Sequence, residues 1–228
     1  MENKAYLKDC IEGMKEYPDK HFDLAIVDPP YGIDLANMNM GAGNKPKHCN
    51  KKRRGFDAKD WDKEAPTDEY FNELKRVSKN QIIWGGNYFD IFLSGVIIWY
   101  KLGSGNFKEG EFAKTNINTF KLFSYSRADA YINDCDIKIH PTQKPVALYK
   151  WLLQNYAKEG DTILDTHLGS GSIAIACYDG GFELTGMELD KEYYDAATKR
   201  LETHKQQLTF FNVTQQPLYA IKANKELK

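Results

Sequence analysis

The tetrapeptide Asp28-Pro29-Pro30-Tyr31 joins an acidic acceptor, a stiff turn and an aromatic plate in four positions. Proline fixes φ and carries no N–H, so such a turn holds its carbonyls in set directions. The combination suits a planar ring with an exocyclic amino group. A carboxylate and a prolyl carbonyl can accept from the two N–H groups, and a phenol ring can lie on the face. The preceding Asp23-Leu24-Ala25-Ile26-Val27 reads as a buried strand, so the tetrapeptide falls in the loop at its C-terminal end. In open α/β sheets that edge is where ligands bind. Taken alone the tetrapeptide is a plain turn, since Asp-Pro and Pro-Pro are common turn pairs.

A second pattern lies far downstream. Leu164-Asp165-Thr166-His167-Leu168-Gly169-Ser170-Gly171-Ser172 runs from a strand into a side-chain-poor turn that opens a helix. Glycines let a ligand approach the backbone, and a helix N-terminus offers unpaired N–H groups. A glycine turn alone fits many α/β loops. Here Asp165 ends one strand and Glu188 ends the next, where a carboxylate can accept both hydroxyls of a ribose. The glycine pattern is not that of dinucleotide dehydrogenases, so a nucleoside without pyrophosphate fits better than NAD. Asp190 reads as the cap of the helix that follows.

The third pattern is His140-Pro141-Thr142-Gln143-Lys144-Pro145. Its bland reading is a proline-bounded loop before a helix. Its functional reading is a stiff loop that brings Lys144 and hydroxyl or amide donors to a ligand carboxylate. His140 reads as a packing or hydrogen-bonding residue.

The elements that must position these groups alternate in type. Strands are expected at 5–7, 23–27, 81–84, 96–100, 119–123, 162–164 and 183–187. Helices are expected at 10–17, 67–79, 146–157, 171–179 and 191–207. This alternation predicts a Rossmann-like α/β domain with a mostly parallel sheet and helices on both faces. The 228 residues suit one domain with a small insertion, and no internal repeat is visible. Residues 34–60 are polar with little apolar period and are expected to form a mobile basic loop.

Composition narrows the class. With 42% hydrophobic and 28% charged residues the chain reads as globular. No apolar run approaches the ~20 residues of a membrane helix, and the N-terminus has no signal-peptide pattern. Cys10, Cys49, Cys135 and Cys177 contain no CxxC pair, so neither a disulfide framework nor a zinc site is expected, and a reducing cytoplasm fits. The net charge of −1 means that nucleic-acid binding must be argued from local patches.

The three motifs together resemble those of the DNA amino-methyltransferases that use S-adenosylmethionine. Their order, catalytic motif first and cofactor loop last, resembles the permuted beta group. Tyr6-Leu7-Lys8-Asp9-Cys10 is similar to that group's adenine-contacting segment. The likeness covers about residues 4–33, 81–100 and 138–204. It implies a class I methyltransferase fold with no metal. Asp165, Gly169 and Gly171, with Ser170 and Ser172 in the same turn, would hold the methionine half of the cofactor. Glu188 would hold the ribose and Asp9 with Cys10 the adenine, while Thr142, Gln143 and Lys144 would cap the carboxylate. The chain departs from the family pattern at Thr166 and His167, where Pro and Phe are usual; an imidazole is flat enough to pack against the cofactor there.

Asp at the first position of the tetrapeptide resembles the adenine-N6 enzymes, whereas Ser would resemble the cytosine-N4 ones. The expected chemistry is direct methyl transfer to an adenine flipped out of the duplex, with Asp28, Pro29, Pro30 and Tyr31 as the catalytic loop. Cytosine-N4 methylation is the nearest alternative. A DNA-binding homologue without catalysis is another, and the intact Asp28, Lys144 and Glu188 argue against it. RNA or protein-glutamine methylation is disfavoured because those enzymes usually carry Asn before Pro-Pro-Tyr.

Double-stranded DNA is thus the expected partner. Lys45, Lys47, Lys51, Lys52, Arg53 and Arg54 form a basic run without an acid and are read as a phosphate clamp, against the plainer reading of a solvated loop. Trp61 beyond it could pack or wedge. By family position, target recognition falls at about 102–138. No nuclease-like segment is seen, so a restriction partner would be a separate chain. A bacterial or phage-encoded origin and a homodimer are both compatible with the sequence.

Overall fold

The computed structural model describes residues 3–34, 62–102, 109–126 and 138–214, with side chains to 207. Eight strands form one sheet in the order β1-β8-β7-β2-β3-β5-β4-β6. They are β1 (Asn3–Leu7), β2 (Phe22–Val27), β3 (Ser78–Trp84), β4 (Gly95–Tyr100), β5 (Gly110–Thr115), β6 (Phe120–Ser124), β7 (Thr162–Asp165) and β8 (Glu183–Glu188). Only β5 runs against its neighbours, pairing antiparallel with β3 and β4. Among the described residues five helices accompany them: α1 (Cys10–Lys15), α2 (Asp68–Val77), α3 (Val146–Tyr156), α4 (Ser172–Gly180) and α5 (Lys191–Thr214).

The C-terminal halves of the central strands, Leu24–Val27 in β2 and Ile82–Trp84 in β3, are apolar without a break because both faces of a parallel sheet are covered. In β2, Leu24 and Ile26 enter one core while Ala25 and Val27 enter the other. The first core also holds Ile82, Ile97 and Ile163, and α3, α4 and α5 close it through residues such as Leu152, Ile173 and Leu201. The second is closed by Met14 of α1 and by Tyr70, Leu74 and Val77 of α2. The Rossmann-like α/β class expected from the strand–helix alternation is the one observed.

Two expectations need correction. Helix α2 stops at Val77 and β3 starts at once at Ser78, where the pattern predicted a helix to 79 and a strand from 81. Ser78 is already extended, at φ −119° and ψ 146°, and its hydroxyl returns to the Leu74 carbonyl. Strand β5 was not among the expected strands; its residues fall in the 102–138 segment read as target recognition. Its buried residues, Ala113 and Thr115, alternate with Lys114, and Glu111 lies on the same face as the buried pair. That carboxylate breaks the apolar alternation that marks a half-buried strand. Among the described residues no helix is long and apolar enough to cross a membrane.

Candidate active site

The C-terminal ends of β1, β8, β7, β2 and β3 meet along one edge, and the sequence-predicted residues within the described ranges gather there. Asp28 lies just beyond β2, and both of its oxygens are engaged. Tyr31 Oη donates to Oδ1 at 2.6 Å, and the Lys144 ammonium donates to Oδ2. Lys144 comes from the loop before α3 and is only 3% exposed. Its Nζ also lies 3.3 Å from Glu111 Oε2 on β5 and 5.4 Å from the centre of the Trp84 ring. Burial presses this ammonium toward neutrality, but Asp28 and Glu111 outweigh it and hold it above its ordinary range. Burial, aided by the Asp28 and Glu111 charges, raises the Tyr31 phenol well above its usual value.

The tetrapeptide is braced from outside. Buried Asp62 accepts from the Tyr31 and Gly32 N–H groups through Oδ1. Tyr31 stacks on Tyr88 with ring centres 4.8 Å apart and planes 11° apart. Asp62, Tyr88 and Glu111 were not read from the sequence. Each lies far from Asp28 along the chain, and none belongs to a recurring spacing.

The second cluster surrounds the glycine turn. Gly169 and Gly171 both have positive φ, at 50° and 68°. They differ in role. A Cβ on Gly171 would come within 3.0 Å of Ala197, so this glycine admits helix α5. A Cβ on Gly169 would meet nothing closer than 3.7 Å, so here the backbone is open to a ligand. The His140 ring is the nearest side chain to that position, at 3.8 Å, which brings the His140–Pro145 hexapeptide over the turn. His140 itself packs edge-on against Tyr193 and bonds the Thr142 hydroxyl at 3.0 Å, in keeping with a packing role. Gln143 Oε1 accepts from the Ile139 N–H.

Glu188 accepts from the Gly169 N–H at 2.8 Å and the Asp190 N–H at 2.9 Å, tying the turn to the end of β8. Asp190 caps α5 through the Glu192 and Tyr193 N–H groups, as the sequence predicted. Asp9 caps α1 through the Ile11 and Glu12 N–H groups. The Ser170 and Ser172 hydroxyls lie 3.0 Å apart, and Arg200 donates to Ser172 Oγ and the Ser170 carbonyl. These two serines therefore face α5 within the fold. Arg200 is a further residue that the sequence did not single out.

Beneath the turn runs a buried polar chain. The Tyr70 and Thr166 hydroxyls are 2.7 Å apart, Thr166 Oγ1 is 2.9 Å from His167 Nδ1, and His167 Nε2 is 3.9 Å from Cys10 Sγ. Burial pushes His167 down to about 4, so the ring is neutral. Burial pushes the Cys10 thiol up to about 12, which leaves it no nucleophilic character at neutral pH. Asp165 is 2% exposed and is lifted to about 8, by burial first and then by the Asp28 and Glu188 charges. Burial also raises Glu188. Among the described residues no group of three or more His, Cys, Asp or Glu is arranged to hold a metal. Lys45, Lys47, Lys51, Lys52, Arg53, Arg54 and Trp61 lie outside the described residues, as do 103–108 and 127–137 of the 102–138 segment.

A mostly parallel sheet with an acidic proline turn and a glycine turn at neighbouring strand ends defines a Rossmann-like class I methyltransferase. The DNA methylase family of N6 and N4 methyltransferases matches residues 84–199, and the chain belongs to it. A protein of Escherichia coli K12 named as a methylase, YubD, is 25% identical over 85% of this chain and 87% of its own length. The type II methyltransferase M.HpaI of Haemophilus parainfluenzae is 23% identical over 89% of this chain and 75% of its own. Among solved structures, the M1.HpyAVI–SAM complex superposes with a TM-score of 0.57, at 18% identity, covering 88% of this chain and all of that one. The cytosine-N4-specific PvuII DNA methyltransferase gives 0.56 at 15% identity, covering 87% of this chain and 86% of that one.

Proposed function

We propose that the protein transfers a methyl group from S-adenosylmethionine to the N6 nitrogen of an adenine flipped out of double-stranded DNA. The observation that carries this reading is the Asp28 carboxylate, fixed at the end of β2 beside the open Gly169 turn at the end of β7. Bound S-adenosylmethionine supplies a methyl group on a sulfonium. The Gly169 backbone leaves room for such a ligand, and an ammonium group set against Asp165 would restore that carboxylate's charge. Glu188 stands at the end of the next strand, in reach of a ribose. Thr142 and Gln143 are the donors nearest a cofactor carboxylate in this reading, and Asp9 with Cys10 would border the adenine.

An exocyclic amino nitrogen is a weak nucleophile because its lone pair is spread into the ring. Hydrogen bonds from its two N–H groups to Asp28 and to the Pro29 carbonyl draw the nitrogen toward sp³ geometry. As the N–C bond forms, the S–C bond breaks and leaves a neutral thioether. The nitrogen then gives up a proton, with Asp28 as the acceptor at hand. A carboxylate offers about four lone-pair directions, so Asp28 can keep Tyr31 and Lys144 and still accept from the base. Positioning and electrostatics supply the rate, with no covalent intermediate on the protein.

The relatives include a cytosine-N4 enzyme on the same fold, so the target base is tested directly. DNA from cells expressing the protein is digested to nucleosides and weighed by mass spectrometry. N6-methyladenine is expected; N4-methylcytosine would reassign the base while keeping the reaction, and the absence of both would overturn the reading. Titration calorimetry with S-adenosylmethionine separates an enzyme from a bare DNA binder.

A further inference from the structure

Lys144 stands between two carboxylates, and only one of them belongs to the sequence motif. Asp28 takes the ammonium on Oδ2. Glu111 approaches the same Nζ at 3.3 Å from β5 and also holds the nearly buried Lys101. The four side chains carry two positive and two negative charges in one partly dehydrated cluster. In the sheet register Glu111 lies opposite Trp99, whose ring carries the Lys101 ammonium at 4.8 Å. Burial opposes the Glu111 charge, but Lys144 and Lys101 prevail and hold the group at about 2, so it stays ionised throughout the working range.

An ammonium bonded to Asp28 has a chemical cost. It drains the acceptor strength that the target amino group needs, and it disfavours transfer of a proton to that carboxylate. A second carboxylate on the same ammonium offsets this effect. We infer that Glu111 is a positioning residue for Asp28: it shares Lys144, so that Asp28 is held in place without losing its power to accept from the base. This inference rests on reading Asp28 as the group that meets the target amino nitrogen. Strand β5 then has a purpose in the site, which explains a charged residue on its otherwise buried face.

The test compares wild type, Glu111→Gln, Glu111→Asp, Lys144→Gln and the Glu111→Gln/Lys144→Gln double variant, with Asp28→Ala as control. Single-turnover methylation is followed with labelled S-adenosylmethionine on genomic DNA from a methylation-deficient strain. Glu111→Gln is expected to slow turnover at least tenfold at saturating cofactor, with cofactor affinity within twofold. Glu111→Asp should recover part of the rate. In the Lys144→Gln background Glu111→Gln should have little further effect, because Glu111 acts through that lysine. A wild-type rate in Glu111→Gln, no recovery in Glu111→Asp, or a full loss repeated without Lys144, would overturn the inference. Turnover in Asp28→Ala would instead overturn the reading of the tetrapeptide on which it rests.

Discussion

The Tyr31 ring lies directly over Gly85, so close that a Cβ on that glycine would sit 2.2 Å from a ring carbon. Gly85 also has φ +72°, a conformation that other residues enter with strain. The turn after β2 and the turn after β3 are therefore fitted to each other, and Tyr88 stacks on the same ring. Gly85→Ala is expected to destabilise the protein by about 1–3 kcal/mol, the range for a strained left-handed position. Methylation should fall further than folding alone explains, because Tyr31 must move and carries Asp28 with it. Thermal denaturation and turnover measured side by side check this. Wild-type turnover in a folded variant would mean that the Tyr31 position is not critical.

Asp28→Ala should reduce methylation to background, in line with the roughly 10²–10⁴-fold that a positioned proton acceptor contributes. Cofactor affinity should stay within a few-fold, since Asp28 faces the base in this reading. Calorimetry and radiolabel transfer on the same preparation separate the two effects. Substantial turnover in the variant would remove the tetrapeptide from the chemistry.

Much of this arrangement was legible in the sequence because parallel strands and their loops are local signals. The run Asp23 to Val27 announces a strand, and the two prolines after it announce where the chain stops pairing. Asp165, Gly169 and Glu188 follow from the same logic of strand ends. The missing parts were all non-local. Glu111 was not singled out because nothing in its neighbourhood says that Lys144 will fold against it. Asp62 is likewise only an anchor once Tyr31 and Gly32 present their N–H groups to it. Lys144 was expected at a ligand carboxylate, which the family resemblance made that of the cofactor; the structure brings it to Asp28, a contact that residues 116 positions apart cannot advertise.

Glu188→Ala should weaken S-adenosylmethionine binding by roughly 1.5–3 kcal/mol, the worth of a charged hydrogen bond. The variant also strips the Gly169 and Asp190 N–H groups of their acceptor, so part of the loss comes through the turn. Glu188→Gln keeps one acceptor oxygen and should fall between the two. Calorimetry on the three proteins gives the series. An unchanged dissociation constant in Glu188→Ala would move the ribose site elsewhere.

Replacing Lys51, Lys52, Arg53 and Arg54 together by Ser should weaken DNA binding alike on all sequences, because phosphate contacts carry no base information. Each lost contact should flatten the log-affinity against log-salt slope by about 0.9. A salt titration on random duplexes is sufficient. Identical slopes for wild type and variant would leave the basic run a solvated loop and direct attention to residues 102–138.

The buried carboxyl of Asp165 makes the cofactor-free fold sensitive to pH in a direction opposite to His167. In the folded chain Asp165 keeps its proton to about 8, whereas an unfolded chain releases it near ~4. Between those values the folded state binds more protons, so stability declines as pH rises and the decline is complete above about 8. His167 is held down to about 4, against about 6.5 unfolded. Its contribution is present above about 6.5 and is lost as pH falls toward 4. The two effects oppose each other in the acid range, and of the pair Asp165 alone acts from about 6.5 to 8. Glu188, also raised, is common to wild type and to an Asp165→Asn variant, so the difference between these two proteins isolates Asp165. Denaturant titrations should show that difference growing in favour of Asp165→Asn as pH rises through this interval, by at most about 1.4 kcal/mol per pH unit. Saturating S-adenosylmethionine, whose ammonium would pair with the ionised carboxylate, should flatten the wild-type slope. A difference that stays constant with pH would mean that Asp165 is already charged in the free protein, and that the cofactor's ammonium meets a ready carboxylate.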